Sequence, residues 1–169
     1  MAFKGAILIL LADSNFLIDM EYAGAISVLP QIAPCYILDV VLEECDNEIQ
    51  PLLAKNILAS GINVIETNAA IVDNAASRRN GKVSTVDMMH ICVAEKKGHV
   101  VLAGDRALRE RCSEERVEVR GSIWILEEAH RLNLVEGKEL CRWLELWPMI
   151  GRRFPAEELS RLHKRLHST

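Results

Sequence analysis

The sequence predicts an α/β fold in three layers, with helices on both faces of a central parallel sheet and a helical extension at the C-terminal end. Over residues 1–135, short apolar runs of strand character alternate with segments of helical spacing. Such alternation indicates right-handed crossover connections, which make neighbouring strands parallel. Residues 136–169 have a purely helical pattern. A chain of 169 residues is typical of one domain, so we expect this extension to pack on residues 1–135.

The elements follow in order along the chain. Three apolar runs are expected to form buried strands: Ala6–Ala12, Ile62–Ile65 and His99–Ala103. Helical spacing is found in Phe16–Val28, Val40–Ser60, Ala69–Arg78, Thr85–Lys97, Arg106–Cys112 and Ile123–Leu132. In the extension, glycines and prolines delimit two short helices. The first carries an apolar stripe, for which packing in the core is favoured over a partner interface: Leu140, Trp143, Leu144 and Trp147.

Charge is distributed unevenly. Half of the residues are hydrophobic (50%) and 26% are charged, which is typical of a globular protein and excludes general disorder. The net charge is −4, yet the first fifty residues carry one basic side chain, Lys4, against eight acidic ones. Such crowding indicates either solvated helix faces or a cation site. The last segment, Gly151–Thr169, is basic and is read equally well as a solvated helix or as a tail that contacts RNA or a partner.

The cysteines and the N-terminal run bear on the compartment. The five cysteines are widely spaced with no C-x-x-C pair, which predicts neither a disulfide framework nor a zinc site and favours the cytoplasm. The apolar run Gly5–Ala12 is too short to span a bilayer. Acidic residues follow it at once, which disfavours a signal peptide. We therefore expect no membrane association.

Two aspartates follow predicted strands. Asp13 comes directly after the first apolar run, and Asp105 comes after His99–Ala103. Because the carboxyl ends of parallel strands meet at one edge of the sheet, both side chains are expected to face one crevice. The alternative for each is a simple cap on the helix that follows.

Two further carboxylates extend this set. Asp87 shares a helical face with the apolar residues Ile91 and Ala94, where a carboxylate needs a cation or hydrogen bonds. The alternative is a capping box with Ser84. Of the neighbours Glu43 and Glu44, one is expected on the surface and the other in the site. Oxygen ligands from separate elements, without a histidine or cysteine cluster, favour Mg²⁺ or Mn²⁺.

These motifs together resemble the PIN-domain ribonucleases over about residues 6–135. The resemblance is carried by Asp13-Ser14-Asn15 after a strand, Val41-x-x-Glu44, Ser84-x-x-Asp87 opening a helix, and Leu102-x-Gly-Asp105-Arg-x-Leu108. Ile123–Val135 and Arg153–Leu166 look like a prokaryotic branch of that family related to VapC-type toxins.

The resemblance implies a PIN-like nuclease domain over residues 1–135, built on a Rossmann-like sheet. It implies an endoribonuclease that cleaves single-stranded RNA with metal-activated water, commonly as a homodimer, and a role as the toxin of a toxin–antitoxin pair with an antitoxin protein as partner. Asp13, Glu44, Asp87 and Asp105 match the acidic quartet of the family, with Asn15 and Ser84 as supporting residues. Ala103 departs from the pattern, because many members have Thr or Ser two positions before the fourth acid.

RNA binding requires basic groups around an acidic site. The candidates near the motifs are Arg78, Arg79, Lys82, Arg106 and Arg109; the alternative for the loop that holds the first three is solubility alone. Two other functions stay open. One is a PIN scaffold that binds RNA or protein without cleaving. The other is a phosphatase of the haloacid-dehalogenase kind, whose chemistry needs a second aspartate where this chain has Asn15.

Overall fold

The computed structural model describes residues 7–167 and forms a five-stranded parallel sheet flanked by helices. Within that range the strands are β1 (Leu10–Ala12), β2 (Cys35–Leu38), β3 (Asn63–Ile65), β4 (Val100–Leu102) and β5 (Val119–Arg120). The helices are α1 (Ser14–Ala23), α2 (Leu29–Ile32), α3 (Asp39–Glu43), α4 (Leu53–Ala59), α5 (Ala69–Arg78), α6 (Thr85–Lys97), α7 (Arg106–Glu114), α8 (Ser122–Arg131), α9 (Gly137–Met149) and α10 (Ala156–His167). A 3-10 turn, Ile26–Val28, precedes α2. The predicted α/β class is confirmed.

The sheet has the order β3-β2-β1-β4-β5, and every neighbouring pair is parallel. The first strand therefore lies at the centre, with Leu10 opposite Val100 and Ala12 opposite Leu102 in the register with β4. All residues of β1 and β4 are buried. Burial on both faces explains why these two strands read as continuous apolar runs.

Three of the predicted elements were wrong in extent. The first predicted strand starts at Ala6, which lies outside the described residues, and within them β1 begins at Leu10. The predicted helix Phe16–Val28 ends at Ala23, because Gly24 adopts a left-handed conformation (φ 70°) that closes the helix.

The predicted helix Val40–Ser60 is two helices, α3 and α4, separated by a turn. In this turn the Asn47 side chain accepts hydrogen bonds from the N–H groups of Ile49 and Gln50, at 3.0 and 2.9 Å. Pro51 follows and has no N–H to continue a helix. Strands β2 and β5 were not predicted at all.

The C-terminal extension packs on the first helix. Trp143 and Trp147 are both buried, and the Trp147 indole N–H donates to the Asp19 carbonyl oxygen of α1 at 3.1 Å. Arg152 forms an ion pair with the buried Asp19 carboxylate at 2.7 Å. The apolar stripe of α9 is therefore part of the core, as predicted, and it packs on α1. The domain division at residue 135 stays a prediction.

None of the helices within residues 7–167 is both long enough and apolar enough to cross a membrane.

Candidate active site

The ends of the two central strands bring Asp13 and Asp105 to the same edge of the sheet. Asp13 directly follows β1, and its N–H donates to the Leu102 carbonyl of β4 at 3.0 Å. Asp105 follows β4 after two further residues and begins α7. The parallel pairing of β1 with β4 thus places both aspartates at one carboxyl edge, as the sequence predicts.

Asp13 is a buried carboxylate with an unsatisfied oxygen. Its side chain is 5% exposed, and no hydrogen-bond partner of Oδ2 is found among the described residues. Burial raises the pKa of Asp13, and the negative charge of Asp87 raises it further, whereas the nearby His90 lowers it. A buried charged oxygen without a partner is costly in a folded protein. This atom therefore marks a place where a cation would be stabilising.

His90 was missed by the sequence reasoning. It is fully buried in α6, with Nδ1 3.0 Å from the Val86 carbonyl oxygen and Nε2 3.4 Å from the carbonyl oxygen of Ala12. The ring therefore connects α6 to the end of β1, next to Asp13. The available signal was its position three residues after Asp87, on the same helical face.

Asp87 takes part in both of the interactions that its sequence allows. Its Oδ2 accepts from the Ser84 N–H at 2.8 Å, and the Ser84 hydroxyl oxygen accepts from the Asp87 N–H at 3.0 Å. The capping box is thus present. The half-buried Asp87 also acts electrostatically on Asp13. The box fixes Asp87 at the first turn of α6 without removing it from the acidic edge.

Asp105 and Glu44 are more exposed members of the set. Asp105 caps α7, accepting from the Leu108 N–H at 2.9 Å, and the buried Ala103 offers it no hydroxyl. Glu44 lies just after α3, beside the buried Cys45. Burial raises the pKa of Cys45 to about 11, and the charges of Asp46, Asp13 and Glu44 contribute to this rise. Since the charge of Asp13 acts on the Cys45 thiol, Cys45 and the neighbouring Glu44 lie near the end of β1. Glu43 is also exposed.

The four carboxylates form an open arrangement. No three of them, as described within residues 7–167, have oxygen atoms that all lie within 4.8 Å of one another. Mg²⁺ usually keeps several waters and takes only one or two carboxylates directly. The oxygen-only donor set and the unpartnered oxygen of Asp13 fit such a hydrated hard cation. Asn15 is exposed in the first turn of α1, beside this edge.

The basic candidates fall into two groups. The Arg78 guanidinium is half-buried and pairs with Glu95 and Glu115, each at 2.7 Å, so it ties α5 to α6 and α7 instead of facing solvent. Arg79 and Lys82 are exposed. The structure thus gives Arg78 a packing role that differs from the predicted RNA contact.

The arginines of α7 also differ from each other. Arg106 is highly exposed and pairs with Glu110 at 2.6 Å. Arg109 donates to the Ala103 carbonyl at 3.0 Å. A Cβ on Gly121 would lie 2.8 Å from the Arg109 guanidinium, so glycine is what allows this close approach. Arg109 therefore supports the edge of the sheet beside Asp105.

A cleft of 420 Å³ opens at the carboxyl ends of β4 and β5, and its lining includes Ala103 and Gly104, which directly precede Asp105. Its lining combines aromatic and basic groups with two acidic ones, Glu127 and Glu158. The sequence reasoning did not select Trp124, Phe154 or Arg120, whereas Arg153 belongs to the basic segment Gly151–Thr169, for which RNA contact was one of two interpretations. Trp124 and Arg120 are half-buried, and Arg153 is exposed. Flat rings beside cations are the combination that binds bases and phosphates of single strands.

Comparison with known proteins gives one family and one fold. A family model described as PIN domain matches residues 9–168. The crystal structure of PAE2754 from Pyrobaculum aerophilum is similar in fold, with a TM-score of 0.56 and 20% sequence identity, over 76% of this chain and 94% of that chain. No curated protein matches this chain.

Proposed function

The chain belongs to the PIN-domain family, whose members are generally nucleases, and from this premise we propose that it is a divalent-metal-dependent endoribonuclease of single-stranded RNA. The observation that carries the proposal is the Asp13 carboxylate, buried at the end of the central strand with an oxygen that lacks a partner. Family membership also favours hydrolysis of nucleic acid over the phosphatase alternative.

We assign the cation to the acidic edge, held by Asp13 and Asp87 with Glu44 and Asp105 at its rim. PIN domains typically use divalent metals, and Mg²⁺ or Mn²⁺ suits these oxygen donors. When bound, the ion supplies the charge that activates water and neutralises the phosphodiester.

The protein's own groups hold this edge in place. His90 fixes the end of β1 against α6, and the capping interactions of Asp87 and Asp105 fix the starts of α6 and α7. The geometry at the site is therefore set by backbone contacts, which limit how far the carboxylates can move.

The substrate strand is proposed to lie along the cleft beside β4 and β5. Trp124 offers a face for base stacking, and Arg120 and Arg153 offer charges for the phosphates. Arg79, Lys82 and Arg106 are exposed and are proposed as further phosphate contacts. Stacking is worth about 1–3 kcal/mol per base, so Trp124→Ala is expected to weaken binding of a single-stranded oligoribonucleotide by roughly 5-fold to 160-fold. Tyr22→Ala, which removes a half-exposed ring from the far end of α1, is the matched control.

A cleavage assay tests the activity. The purified chain with Mn²⁺ or Mg²⁺ is expected to cut single-stranded RNA, to spare duplex RNA and to stop on addition of a chelator. Asp13→Asn and Asp87→Asn are expected to lose cleavage while circular dichroism shows them folded, and Glu43→Gln is expected to retain it. Full cleavage by both aspartate variants would refute the assignment.

A second function is supported by one specific observation. Asp87 and Asp105 each use one carboxylate oxygen to accept a backbone N–H at the start of a helix, and Ala103 has no hydroxyl that could donate to Asp105. These features suit a PIN scaffold that binds RNA or protein without cutting. Binding of the oligoribonucleotide by the wild type, without cleavage under any divalent metal, would favour it.

The biological setting is proposed from the same family. All five cysteines, which lie within the described range, are buried free thiols, consistent with the cytoplasm. We propose a homodimeric toxin held by an antitoxin. Induced expression in a bacterial host is expected to arrest growth, and Asp13→Asn at equal protein level is expected to relieve the arrest. Equal arrest by both proteins would contradict the toxin role, and sedimentation tests the dimer.

A further inference from the structure

A cluster of metal-ligating side chains lies far along the chain from the acidic edge, between the two helices of the C-terminal extension. Cys141 of α9 and both His163 and His167 of α10 place one ligand atom each within 4.8 Å of one another. Cys141 is buried, His163 is half-buried and His167 is exposed. Because two of the three groups are accessible, an ion could reach the cluster from solvent.

The two helices approach each other closely at this point. A Cβ on Gly137 would lie 2.8 Å from the Leu166 carbonyl oxygen, so the start of α9 touches the end of α10 through backbone alone. The start of one helix therefore meets the end of the other, and the helices run antiparallel. Cys141 lies one turn after Gly137, which brings its sulfur 3.9 Å from Nδ1 of His167.

On both helices of this antiparallel pair, possible metal ligands are spaced four residues apart. Residues four apart lie on one face of a helix, so His163 and His167 project together from α10. Cys141 and Glu145 have the same spacing on α9, and the Glu145 charge acts on the Cys141 thiol. In an antiparallel pair, the residue one turn after Cys141 on α9 lies beside the residue one turn before His167 on α10. Glu145 is therefore the residue of α9 that lies towards His163.

The distances suit a tetrahedral ion. Zn–S bonds of about 2.3 Å and Zn–N bonds of about 2.0–2.1 Å place sulfur and nitrogen ligands about 3.6 Å apart in a tetrahedron. The observed 3.9 Å between sulfur and nitrogen is close to this separation. Nδ1 of His167 also lies 2.8 Å from the His163 carbonyl oxygen. Ligation through Nδ1 therefore requires that this nitrogen be unprotonated and give up the hydrogen bond, whereas ligation through Nε2 keeps Nδ1–H as the orienting donor. A groove of 650 Å³, lined by Cys141, Glu145 and His167, gives a path for entry.

We propose that Cys141, His163 and His167 form a zinc site that clamps α10 to α9, with Glu145 or a water as fourth ligand. One thiolate and two imidazoles form a softer donor set than the oxygens of the acidic edge, and they prefer Zn²⁺ to Mg²⁺. This site is separate from the proposed nuclease centre. It also departs from the expectation drawn from cysteine spacing, which considered only pairs of cysteines.

Cobalt titration of the full chain tests the proposal. Co²⁺ bound to a thiolate in a tetrahedral site gives an intense visible spectrum and a sulfur-to-metal charge-transfer band, whereas carboxylate sites give neither. We expect one Co²⁺ per chain with both features, displaced by Zn²⁺ and retained in Asp13→Asn. Cys141→Ser is expected to lose the charge-transfer band, and His163→Gln to weaken Co²⁺ binding by roughly 100-fold or more, since even outer-shell partners are worth about 10–100-fold.

Two controls keep the test decisive. His130→Gln, which changes a half-buried histidine on α8, is expected to leave the spectrum unchanged. Thermal unfolding in chelator shows whether each variant still folds. In the Asp13→Asn background, which removes the proposed acidic-edge site, Zn²⁺ is expected to raise the melting temperature, and adding Cys141→Ser is expected to abolish that rise. Absence of a thiolate band in the wild type, or an equal zinc-induced shift in Asp13→Asn with and without Cys141→Ser, would overturn the site.

Discussion

Replacing Asp13 by asparagine is expected to stabilise the metal-free protein while it abolishes cleavage. The wild-type carboxylate is 5% exposed and leaves Oδ2 without a partner. A buried unsatisfied polar group costs about 1–3 kcal/mol, and more if charged. The amide keeps the shape and still leaves one polar atom without a partner, but it removes the buried charge, which costs more than a neutral group. We therefore expect Asp13→Asn to gain about 1–2 kcal/mol in free energy of unfolding. For a chain of this length that corresponds to a melting temperature higher by about 2–8 °C.

The pH dependence of the free energy of unfolding tests the same effect of Asp13 independently. Burial raises the pKa of Asp13 in the folded state, so as pH rises the unfolded chain releases this proton first. The destabilising effect is absent below the unfolded pKa of about 3.9, grows as pH rises through the folded pKa and is complete above it. The advantage of Asp13→Asn should therefore be present at neutral pH and vanish in acid.

Urea and thermal unfolding in chelator, at several pH values, measure both effects. Glu43→Gln, which removes an equal charge from an exposed position, is the control and should change stability little. Adding Mn²⁺ at about 100 times its dissociation constant should stabilise the wild type by about 2.7 kcal/mol and leave Asp13→Asn unchanged. The reasoning fails if Asp13→Asn is the less stable protein at pH 7 in chelator, or if Mn²⁺ stabilises both equally.

Three further predictions concern stability. Arg152→Met leaves the buried Asp19 carboxylate without its cation and should lower the free energy of unfolding in urea by about 1–3 kcal/mol. If the two residues are coupled, Arg152→Met should lower it less when Asp19→Asn is also present. Additive losses in the double variant would exclude the coupling. Burial lowers the pKa of His99, with a smaller effect of Lys97. The free energy of unfolding should therefore fall as pH drops below about 6.5. His99→Gln should flatten this pH dependence, and an unchanged slope in the variant would contradict the prediction. Ser84→Ala should cost about 1 kcal/mol through loss of the cap, with Ser84→Thr restoring most of it, and no change in the urea midpoint would mean the box is not stabilising.

The extent to which the fold could be predicted depended on how far each element is buried. β1 and β4 are buried along their whole length, so their apolar runs were recognisable. β5 has only two residues, both half-buried, and carries no periodicity. β2 is four residues long and leads directly into α3 at Asp39, so its apolar residues merged with the helical pattern beyond it.

The site could be predicted where a residue's position follows from topology. Asp13 and Asp105 come after neighbouring parallel strands, and the sheet alone brings them to one edge. Trp124 and Arg153 reach their cleft through the packing of α8 and the segment before α10, which local sequence does not encode. His90 was hidden because a single histidine in an apolar helix has the same pattern whether it is core or beside a carboxylate.

The central position of β1 has a consequence for folding kinetics. This strand leaves the ribosome first, yet one of its two partners, β4, follows about 90 residues later in the register Leu10 to Val100. At synthesis rates of about 5–20 residues per second, that separation is a delay of roughly 5–20 s. Apolar β1 must remain unpaired on its β4 side during this interval, and contacts this distant in sequence slow folding. Newly made chains should therefore bind chaperones through the segment around β1 until β4 has emerged.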